Sequence, residues 1–246
     1  MCTLTFYPKK NGSVIFTFNR DEQPNRSSVV VVEDKNEGVI YPKDSLHNGT
    51  WLLVDTHKKR VTCLLNGAFT RHPRQLPYRK SRGLVVLDTA RFEHIDAFFA
   101  HYDFDTIEPF TMVVWERNTL TVARWDGTLI HIEKPHPAHP HMWSSCTLYD
   151  TEKQKERAYW FAEWQAELPK NEAAAADIWQ FHQRGGQHDC ENALCMTRKT
   201  GVETVSSSQI IMTDNNLKFL YYEFRNNVSY DQEFNLQSQP IGEFFG

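Results

Sequence analysis

The chain has 246 residues, a formal net charge of -4, and 40% hydrophobic and 13% aromatic residues. This length and apolar content predict a single domain over residues 1–246 with a sizeable core, and they exclude an intrinsically disordered chain. The near-neutral charge argues against a nucleic-acid-binding protein, and no apolar run approaches the roughly 20 residues of a membrane span. Together with the lack of a secretion signal, these features predict a cytoplasmic protein with reduced thiols.

The first half of the chain has the alternating pattern and the turn residues of antiparallel strands, interrupted by short helices. Lys10-Asn11-Gly12 is a hairpin turn signal, which brings the start of the chain beside the far end of the returning strand. Ser81 is typical of a helix N-cap, and a second short helix is predicted over residues 93–101. The predicted strands of this half cover residues 2–7, 14–18, 50–55, 60–65, 110–115, 119–125 and 128–133.

A segment rich in histidine and proline, residues 135–141, separates the two halves and can form neither a helix nor a central strand. After it, Trp160, Trp164 and Leu168 recur at helical spacing, and a further helix is predicted over residues 173–181. The last predicted strands cover residues 193–197, 202–213 and 217–224. This order favours an α+β fold, a four-layer αββα sandwich of antiparallel sheets with the helices on the outer faces.

Cys2 is the most informative residue for function. Removal of Met1 would make Cys2 the terminal residue, which then carries a thiol nucleophile and an α-amine base together. The reference pKa is about 8.5 for the thiol and about 7.7–8.0 for the amine, so both groups exchange protons near neutral pH. The first hairpin returns Arg20 and Asp21 to this end of the sheet. There an arginine can stabilise negative charge and a carboxylate can hold the amine. The alternative is a surface ion pair at a strand end.

Several short motifs are spread along the chain. It starts with Met1-Cys2-Thr3-Leu4, and Asn19-Arg20-Asp21-Glu22 with Arg26 follows at the far end of the predicted hairpin. In this arrangement the chain resembles the NRDE family. The segments that support the resemblance are Gly49-Thr50-Trp51-Leu52, Leu65-Asn66, Ser81-Arg82-Gly83, Ser144-Ser145 and Ser208-Gln209-Ile210-Ile211. Together they span nearly the whole chain.

The resemblance implies an N-terminal nucleophile (Ntn) hydrolase fold. It also implies a distant similarity to penicillin V acylases, bile salt hydrolases and acyl-transferring relatives, which break linear amides other than peptides. In that comparison Cys2 would be the nucleophile and, through its amine, the base. Arg20 and Asp21 would be its neighbours, and Asn66 would donate a hydrogen bond to the oxyanion.

The sequence departs from the family pattern in the rest of the site. Ser145 stands where many members have an asparagine, and Ser206 falls where some have an arginine. Arg198, slightly earlier in the chain, could substitute for that arginine. A serine donates one hydrogen bond and reaches less far than an amide side chain. The loss of one oxyanion donor costs on the order of 3 kcal/mol, so we expect weakened catalysis.

Other candidate groups favour structural roles. His136, His139 and His141, with His188 and Cys190, lack the CxxC or HExxH spacing of a zinc site, and we expect no metal and no cofactor. Cys63, Cys146 and Cys195 are predicted to be core thiols. The residues that can either line a pocket or pack in the core are Trp51, Trp125 and Trp143.

Two functional hypotheses follow. The first is a cysteine amidohydrolase or acyltransferase that acts through Cys2 on a small linear amide or acyl substrate. The second is a non-catalytic binding or trafficking protein on the same fold, with lipid, acyl or haem ligands. This second hypothesis follows from the resemblance, since eukaryotic members of the family are associated with Golgi organisation, lipid metabolism and haem mobilisation. We expect a small-molecule partner and no nucleic acid, and we leave a homo-oligomer open.

Overall fold

Two antiparallel β-sheets face each other, and helices lie on their outer sides. The structure is a computed structural model that describes residues 2–26, 30–73, 76–168 and 172–236. Its strands are β1 (Cys2–Pro8), β2 (Val14–Glu22), β3 (Val31–Asp34), β4 (Val39–Pro42), β5 (Leu52–Asp55), β6 (Arg60–Asn66), β7 (Phe110–Glu116), β8 (Thr119–Trp125), β9 (Ile130–Glu133), β10 (His141–Ser144), β11 (Glu203–Met212), β12 (Asn216–Glu223) and β13 (Val228–Asn235). Its α-helices are α1 (Arg82–Asp88), α2 (Ile95–His101), α3 (Thr151–Glu167) and α4 (Ala175–Arg184).

The strands form two sheets that stack into a sandwich. Sheet A has the order β10-β1-β2-β11-β12-β13, and sheet B has the order β3-β4-β5-β6-β7-β8-β9. Helices α1 and α2 pack on the outer face of sheet B, whereas α3 and α4 pack on the outer face of sheet A. The inner faces of the two sheets share one apolar core. The predicted α+β fold, a four-layer sandwich of antiparallel sheets, is confirmed.

The side chains of β1 alternate between the core of the sandwich and the helix layer on sheet A. Leu4 and Phe6 are buried in the core between the sheets. Thr3 and Thr5 point the other way and form hydrogen bonds with side chains of α3 and α4. Successive side chains of a strand face opposite sides, so β1 is apolar towards sheet B and polar towards the helices.

The predicted hairpin at the start of the chain is confirmed, because Cys2 pairs with Arg20 in the β1–β2 ladder. Ser81 is the N-cap of α1 as predicted, although its hydroxyl forms no cap hydrogen bond. Helix α4 covers Ala175–Arg184 instead of residues 173–181. The segment 135–141 contains neither a helix nor a central strand, since β10 begins at its last residue and lies at the edge of sheet A.

The predicted strand over residues 193–197 is wrong. Leu194 and Met196 are buried, but their backbone N–H groups bond to Gly185 O and Thr204 Oγ1, both at 2.9 Å. The apolar run therefore fills space beside α4 without joining a sheet ladder. The pattern did not predict four strands, β3, β4, β10 and β13. The edge strands β3, β10 and β13 are poorly buried, whereas β4, next to the edge, is buried but only four residues long.

Among the described residues, no helix is both long enough and apolar enough to cross a membrane.

Candidate functional site

A cavity of about 280 Å³ lies where one end of sheet A meets sheet B and the start of α1. Three of the six predicted site residues, Cys2, Arg20 and Asn66, line this cavity. The other three, Asp21, Ser145 and Arg198, do not line it. The remaining lining residues are Glu22, Arg26, Asp44, His47, Gly49, Thr50, Trp51, Leu64, Leu76, Tyr78, Lys80, Ser81, Arg82, Gly83 and Glu108.

Two glycines allow α1 to form a wall of the cavity. A Cβ atom on Gly49 would lie 2.5 Å from the carbonyl carbon of Gly83, which is closer than real Cβ atoms approach backbone. The N–H of Thr50 donates to the carbonyl oxygen of Gly83 at 3.1 Å. The start of α1 therefore sits directly against the segment before β5, and only glycine fits at this contact.

Cys2 lies on the inner face of sheet A and is buried. Its carbonyl oxygen accepts a hydrogen bond from the N–H of Ser145 at 3.0 Å, and its strand partner on the other side is Arg20. Burial raises the pKa of the Cys2 thiol, and the Asp21 carboxylate raises it further, whereas the Arg20 guanidinium lowers it. In this state the thiol form of Cys2 is favoured over the thiolate.

Arg20 has a fixed place beside Cys2. Its Nη2 donates to Asp44 Oδ2 at 2.6 Å, and its Nη1 donates to the carbonyl oxygen of Arg26. Its guanidinium carbon lies 4.0 Å from the ring centroid of Trp51, a cation–π contact. The three contacts come from three different chain segments, so the guanidinium is held on the cavity wall.

Asp44 is the centre of the charge network around the cavity. Besides Arg20, it accepts a hydrogen bond from Arg26 Nη2 at 2.8 Å and from the backbone N–H groups of Leu46 and His47. Burial would raise the pKa of Asp44, but these hydrogen bonds and the two arginines hold it below its usual value. The carboxylate therefore stays ionised at neutral pH.

Asn66 and Ser145 connect the two sheets at the cavity. Ser145 Oγ donates to the carbonyl oxygen of Asn66 at 2.7 Å, while the Ser145 N–H bonds to Cys2. The single hydroxyl proton of Ser145 is therefore engaged with Asn66. Asn66 lines the cavity, and its side-chain amide has no hydrogen-bond partner within the described residues.

Asp21 lies on the opposite face of β2 from Arg20, beneath the helix layer. Its carboxylate accepts hydrogen bonds from Tyr149 Oη at 2.9 Å and from Thr204 Oγ1 at 2.7 Å. Arg157 stacks over the Tyr149 ring, with its guanidinium carbon 3.8 Å from the ring centroid. Burial raises the pKa of Asp21, and the charge of Arg157 opposes that rise.

Ser206 and Arg198, the two positions considered for the arginine of the family pattern, lie apart. Ser206 is the β11 partner of Arg20, so it belongs to the same cross-strand row as Cys2. Its hydroxyl is buried and has no partner among the described residues. Arg198 bonds to Glu191 O and Asn192 Oδ1, both at 2.9 Å, and its guanidinium is away from the cavity. Arg198 does not line the cavity, and its role in catalysis stays a prediction.

The other candidate groups have varied surroundings. The described part of the chain contains no group of three or more histidine, cysteine or acidic side chains that could hold a metal ion. Cys63 and Cys146 are buried, whereas Cys195 is half-buried. Trp51 lines the cavity, but Trp125 is buried and donates to Ile107 O.

Sequence reasoning missed Asp44, the residue that makes most contacts with the arginines of the cavity. No motif includes it, and its hydrogen bond to Arg20 joins residues 24 positions apart. The signal that could have pointed to Asp44 is the turn over residues 44–47. Asp44 accepts hydrogen bonds there from the N–H groups two and three residues later, as an aspartate in an Asx-type turn does.

A protein-family model matches most of the chain. The family model described as Transport and Golgi organisation 2 matches residues 1–227 of the 246 residues. No curated protein matches the chain. Because the family match covers most of its length, the chain belongs to the Transport and Golgi organisation 2 family.

Proposed function

We propose that this protein is a cysteine amidohydrolase or acyltransferase that uses Cys2 as its nucleophile on a small linear amide. The observation that carries the proposal is the composition of the cavity. Cys2 lines it together with Asn66, whose amide has no partner among the described residues, and with Arg20, whose charge favours the thiolate. A nucleophile, an uncommitted hydrogen-bond donor and a cation beside one cavity are the groups that acyl transfer needs.

The reaction needs a free α-amine on Cys2, because an intact Met1 would hold that nitrogen in a peptide bond. As the sulfur attacks the carbonyl carbon of the amide, the thiol proton passes to the Cys2 amine. Asn66 Nδ2 donates to the oxyanion of the tetrahedral intermediate. The ammonium then gives its proton to the leaving nitrogen, the C–N bond breaks, and a Cys2 thioester remains.

The second half of the reaction releases the acyl group. The Cys2 amine accepts a proton from a water molecule as the water oxygen attacks the thioester carbon. The carbon–sulfur bond breaks, a carboxylic acid leaves, and the thiol is restored. A second amine in place of water would give a new amide, which is the acyltransferase form of the same reaction.

Asp21 supports the requirement for a free amine. It is fully buried, and within the described residues its carboxylate accepts hydrogen bonds only from two neutral hydroxyls. It follows Arg20 in β2, so it lies at the end of the ladder where the main-chain nitrogen of Cys2 is. Arg157 already places one positive charge near this buried carboxylate, and the α-ammonium of Cys2 would supply a second.

A non-catalytic binding protein is the second candidate function. The observation in its favour is the burial of Cys2, which raises the pKa of the thiol and disfavours the nucleophilic thiolate. Arg20 is also engaged with Asp44. In such a protein Cys2 would only form part of the cavity wall, so Cys2→Ala would keep ligand binding.

Intact-mass spectrometry with limiting iodoacetamide tests the first step of the catalytic proposal. We expect a protein without Met1 in which Cys2 is alkylated faster than the exposed Cys190. Cys2→Ser is the control for the assignment, and Cys146→Ser is the matched control for another cysteine near the site. A retained Met1, or a Cys2 that reacts no faster than Cys63, would overturn the catalytic proposal.

Acylation by a small activated ester tests the chemistry. We expect p-nitrophenyl acetate to add one acetyl group at Cys2, and Cys2→Ala to remove this adduct. Asn66→Ala should lower the acylation rate about a hundredfold, because one oxyanion donor contributes on the order of 3 kcal/mol. An unchanged rate in Asn66→Ala would remove Asn66 from the proposed mechanism.

A further inference from the structure

Several ion pairs line the Cys2 cavity. On the side of β2, Arg20 bonds to Asp44 at 2.6 Å, and Arg26 bonds to Glu22 at 2.7 Å. Lys80 and the pair Arg82–Glu108, 3.1 Å apart, belong to other segments that line the cavity. A ligand in this cavity therefore touches charged side chains from several segments.

Four of these charged groups are largely removed from bulk water, whereas the side chains of Arg26 and Lys80 are 28% and 30% exposed. The side chain of Arg20 is 4% exposed and that of Asp44 is 8% exposed, while Arg82 and Glu108 are 12% and 13% exposed. Water inside the cavity is therefore a main source of their remaining hydration. An alkyl chain would displace that water without replacing its hydrogen bonds, which is unfavourable for buried charges.

The carboxylates of the wall stay charged at neutral pH. Burial raises the pKa of Glu22, but the hydrogen bond from the Gln23 N–H and the charges of Arg26 and Arg20 bring it below its usual value. Since Asp44 behaves in the same way, protonation does not make this wall apolar near pH 7.

Few of the side chains that line the cavity are apolar. Trp51 contributes an aromatic ring, but the guanidinium of Arg20 already covers one face of that ring at 4.0 Å. Leu64 and Leu76 are the aliphatic side chains among the lining residues. The volume of about 280 Å³ lies just below the range of about 300–1,000 Å³ that is typical of pockets for drug-sized ligands.

We infer that the substrate of this site has a short polar acyl group, of the size and polarity of a succinyl group, and not a long alkyl chain. The statement about the acyl group rests on the proposed function, since it assumes that Cys2 accepts that group. The preference of the cavity for a polar ligand follows from its wall alone.

Equilibrium binding to Cys2→Ala measures that preference without any chemistry. N-methylsuccinamate and N-methylhexanamide have equal numbers of non-hydrogen atoms and differ in the polar end of the acyl group. By titration calorimetry we expect at least about tenfold tighter binding of the succinamate, since the hexanamide leaves buried polar groups unpaired. Equal or tighter binding of the hexanamide would overturn the inference.

A double substitution in the cavity wall tests the cause of the preference for the succinamate. Arg82→Met combined with Glu108→Leu removes both charges of one pair, so no single buried charge is left behind. We expect this double variant to lose most of the preference for the succinamate. The matched control is Glu152→Leu with Lys155→Met, an exposed pair on α3, which should keep the preference. The comparison of the two ligands on Cys2→Ala stands even if the wall variant does not fold.

Acylation of the unmodified protein separates this inference from the proposed function. The p-nitrophenyl esters of succinate and hexanoate are compared, each rate being divided by the rate with a simple thiol. Faster succinylation of Cys2 supports both proposals. Faster hexanoylation supports the proposed function and overturns the inference. Tight succinamate binding without any Cys2 adduct overturns the proposed function and supports the polar preference.

Discussion

The two helix–sheet interfaces of this protein differ in the residues that the strands present to the helices. Under α1 and α2, sheet B presents an apolar face that includes Leu53, Met112 and Val114. Under α3 and α4, the strands of sheet A nearest Cys2 present Thr3 and Asn19 among other polar residues. Both faces are buried. The interface under α1 and α2 is held by packing. Under α3 and α4, hydrogen bonds hold the part near Cys2, while Tyr7 and Ile15 of sheet A pack against apolar residues of the helices farther along.

Many polar groups of this interface have partners, although Nε and Nη1 of Arg157 and Nδ1 of His182 have none among the described residues. Asn19 Nδ2 donates to the carbonyl oxygens of His182 and Leu194 at 2.8 and 2.9 Å, and its Oδ1 accepts from Ser207 Oγ at 2.7 Å. Arg157 Nη2 donates to Thr3 Oγ1 at 2.7 Å. Buried polar groups are stable only when bonded in this way. Hydrogen bonds therefore fix the strands that carry Cys2 and Asp21. Such directional contacts set the positions of side chains more specifically than apolar packing does.

The apolar interface should lose most when one large side chain is removed. Phe98 of α2 is fully buried, and its ring centroid lies 5.2–5.6 Å from those of Phe92, Phe99 and Phe104. Phe98→Ala should lower the free energy of unfolding by about 4 kcal/mol, because it removes apolar contacts and leaves a cavity. Urea unfolding measures this, with Phe98→Leu as the milder control. A loss below about 1 kcal/mol would contradict the packing of this layer.

The polar interface should be sensitive to acid. Burial, together with the nearby charge of Arg157, lowers the pKa of His182 to about 3, against about 6.5 in an unfolded chain. Below pH 6.5 the unfolded state binds the extra proton and the folded state does not, so stability falls as the pH falls towards 3. The expected contribution is about 2 kcal/mol at pH 5.

The comparison of the native protein with His182→Gln isolates this effect, because the other titrating groups are common to both. We expect the difference in unfolding free energy between the two proteins to change between pH 7 and pH 5 in favour of the variant. A difference that does not depend on pH would show that His182 is not held neutral by its surroundings.

A single hydrogen bond of the polar interface should have a smaller effect. Thr5 Oγ1 and His182 Nε2 are 2.9 Å apart and buried. Thr5→Val keeps the shape and leaves the imidazole nitrogen without its partner, which should cost about 1.5 kcal/mol. The double variant with His182→Leu should recover part of that loss in a double-mutant cycle. Additive losses would mean that the two side chains are not coupled.

The smallest expected effect concerns the helix ends. The N-cap residue of α3, Asp150, accepts a hydrogen bond from the Lys153 N–H at 2.9 Å, whereas α1 and α2 have no side-chain cap bond. Asp150→Ala should lower the free energy of unfolding by about 1 kcal/mol, and Asp150→Ser should have little effect. Equal losses for alanine and serine in thermal unfolding would contradict the capping role.

Much of the fold could be predicted from local patterns. The alternation in the first 25 residues and the Asn11-Gly12 turn predict the first hairpin, and the β1–β2 register confirms that it pairs Cys2 with Arg20. The polar face of sheet A could not be predicted in this way. Residues such as Thr5 and Asn19 follow the pattern of a solvent-exposed face, and only the packing of α3 and α4 buries them.

Local patterns also predict part of the candidate site. Asn66 follows a predicted strand and lines the cavity, while its role as an oxyanion donor stays a prediction. The first hairpin predicts both Arg20 and Asp21 beside Cys2, although neighbours in a strand face opposite sides. The sequence therefore contained the signal that only one of them could face the cavity. The contact of Arg20 with Asp44 depends on the path of the loop before β5, which no local pattern predicts.

The position of Cys2 within sheet A determines when the protein can be processed. Strand β1 lies between β10 and β2, and the Cys2 carbonyl is bonded to Ser145. An aminopeptidase needs an extended, accessible chain end in its own active site, and a strand paired on both sides does not offer one. If Met1 is removed, as the proposed function requires, its removal during synthesis, before β1 pairs, is therefore favoured. A Met1 that survives synthesis would leave the Cys2 nitrogen in a peptide bond at the start of a strand already paired on both sides.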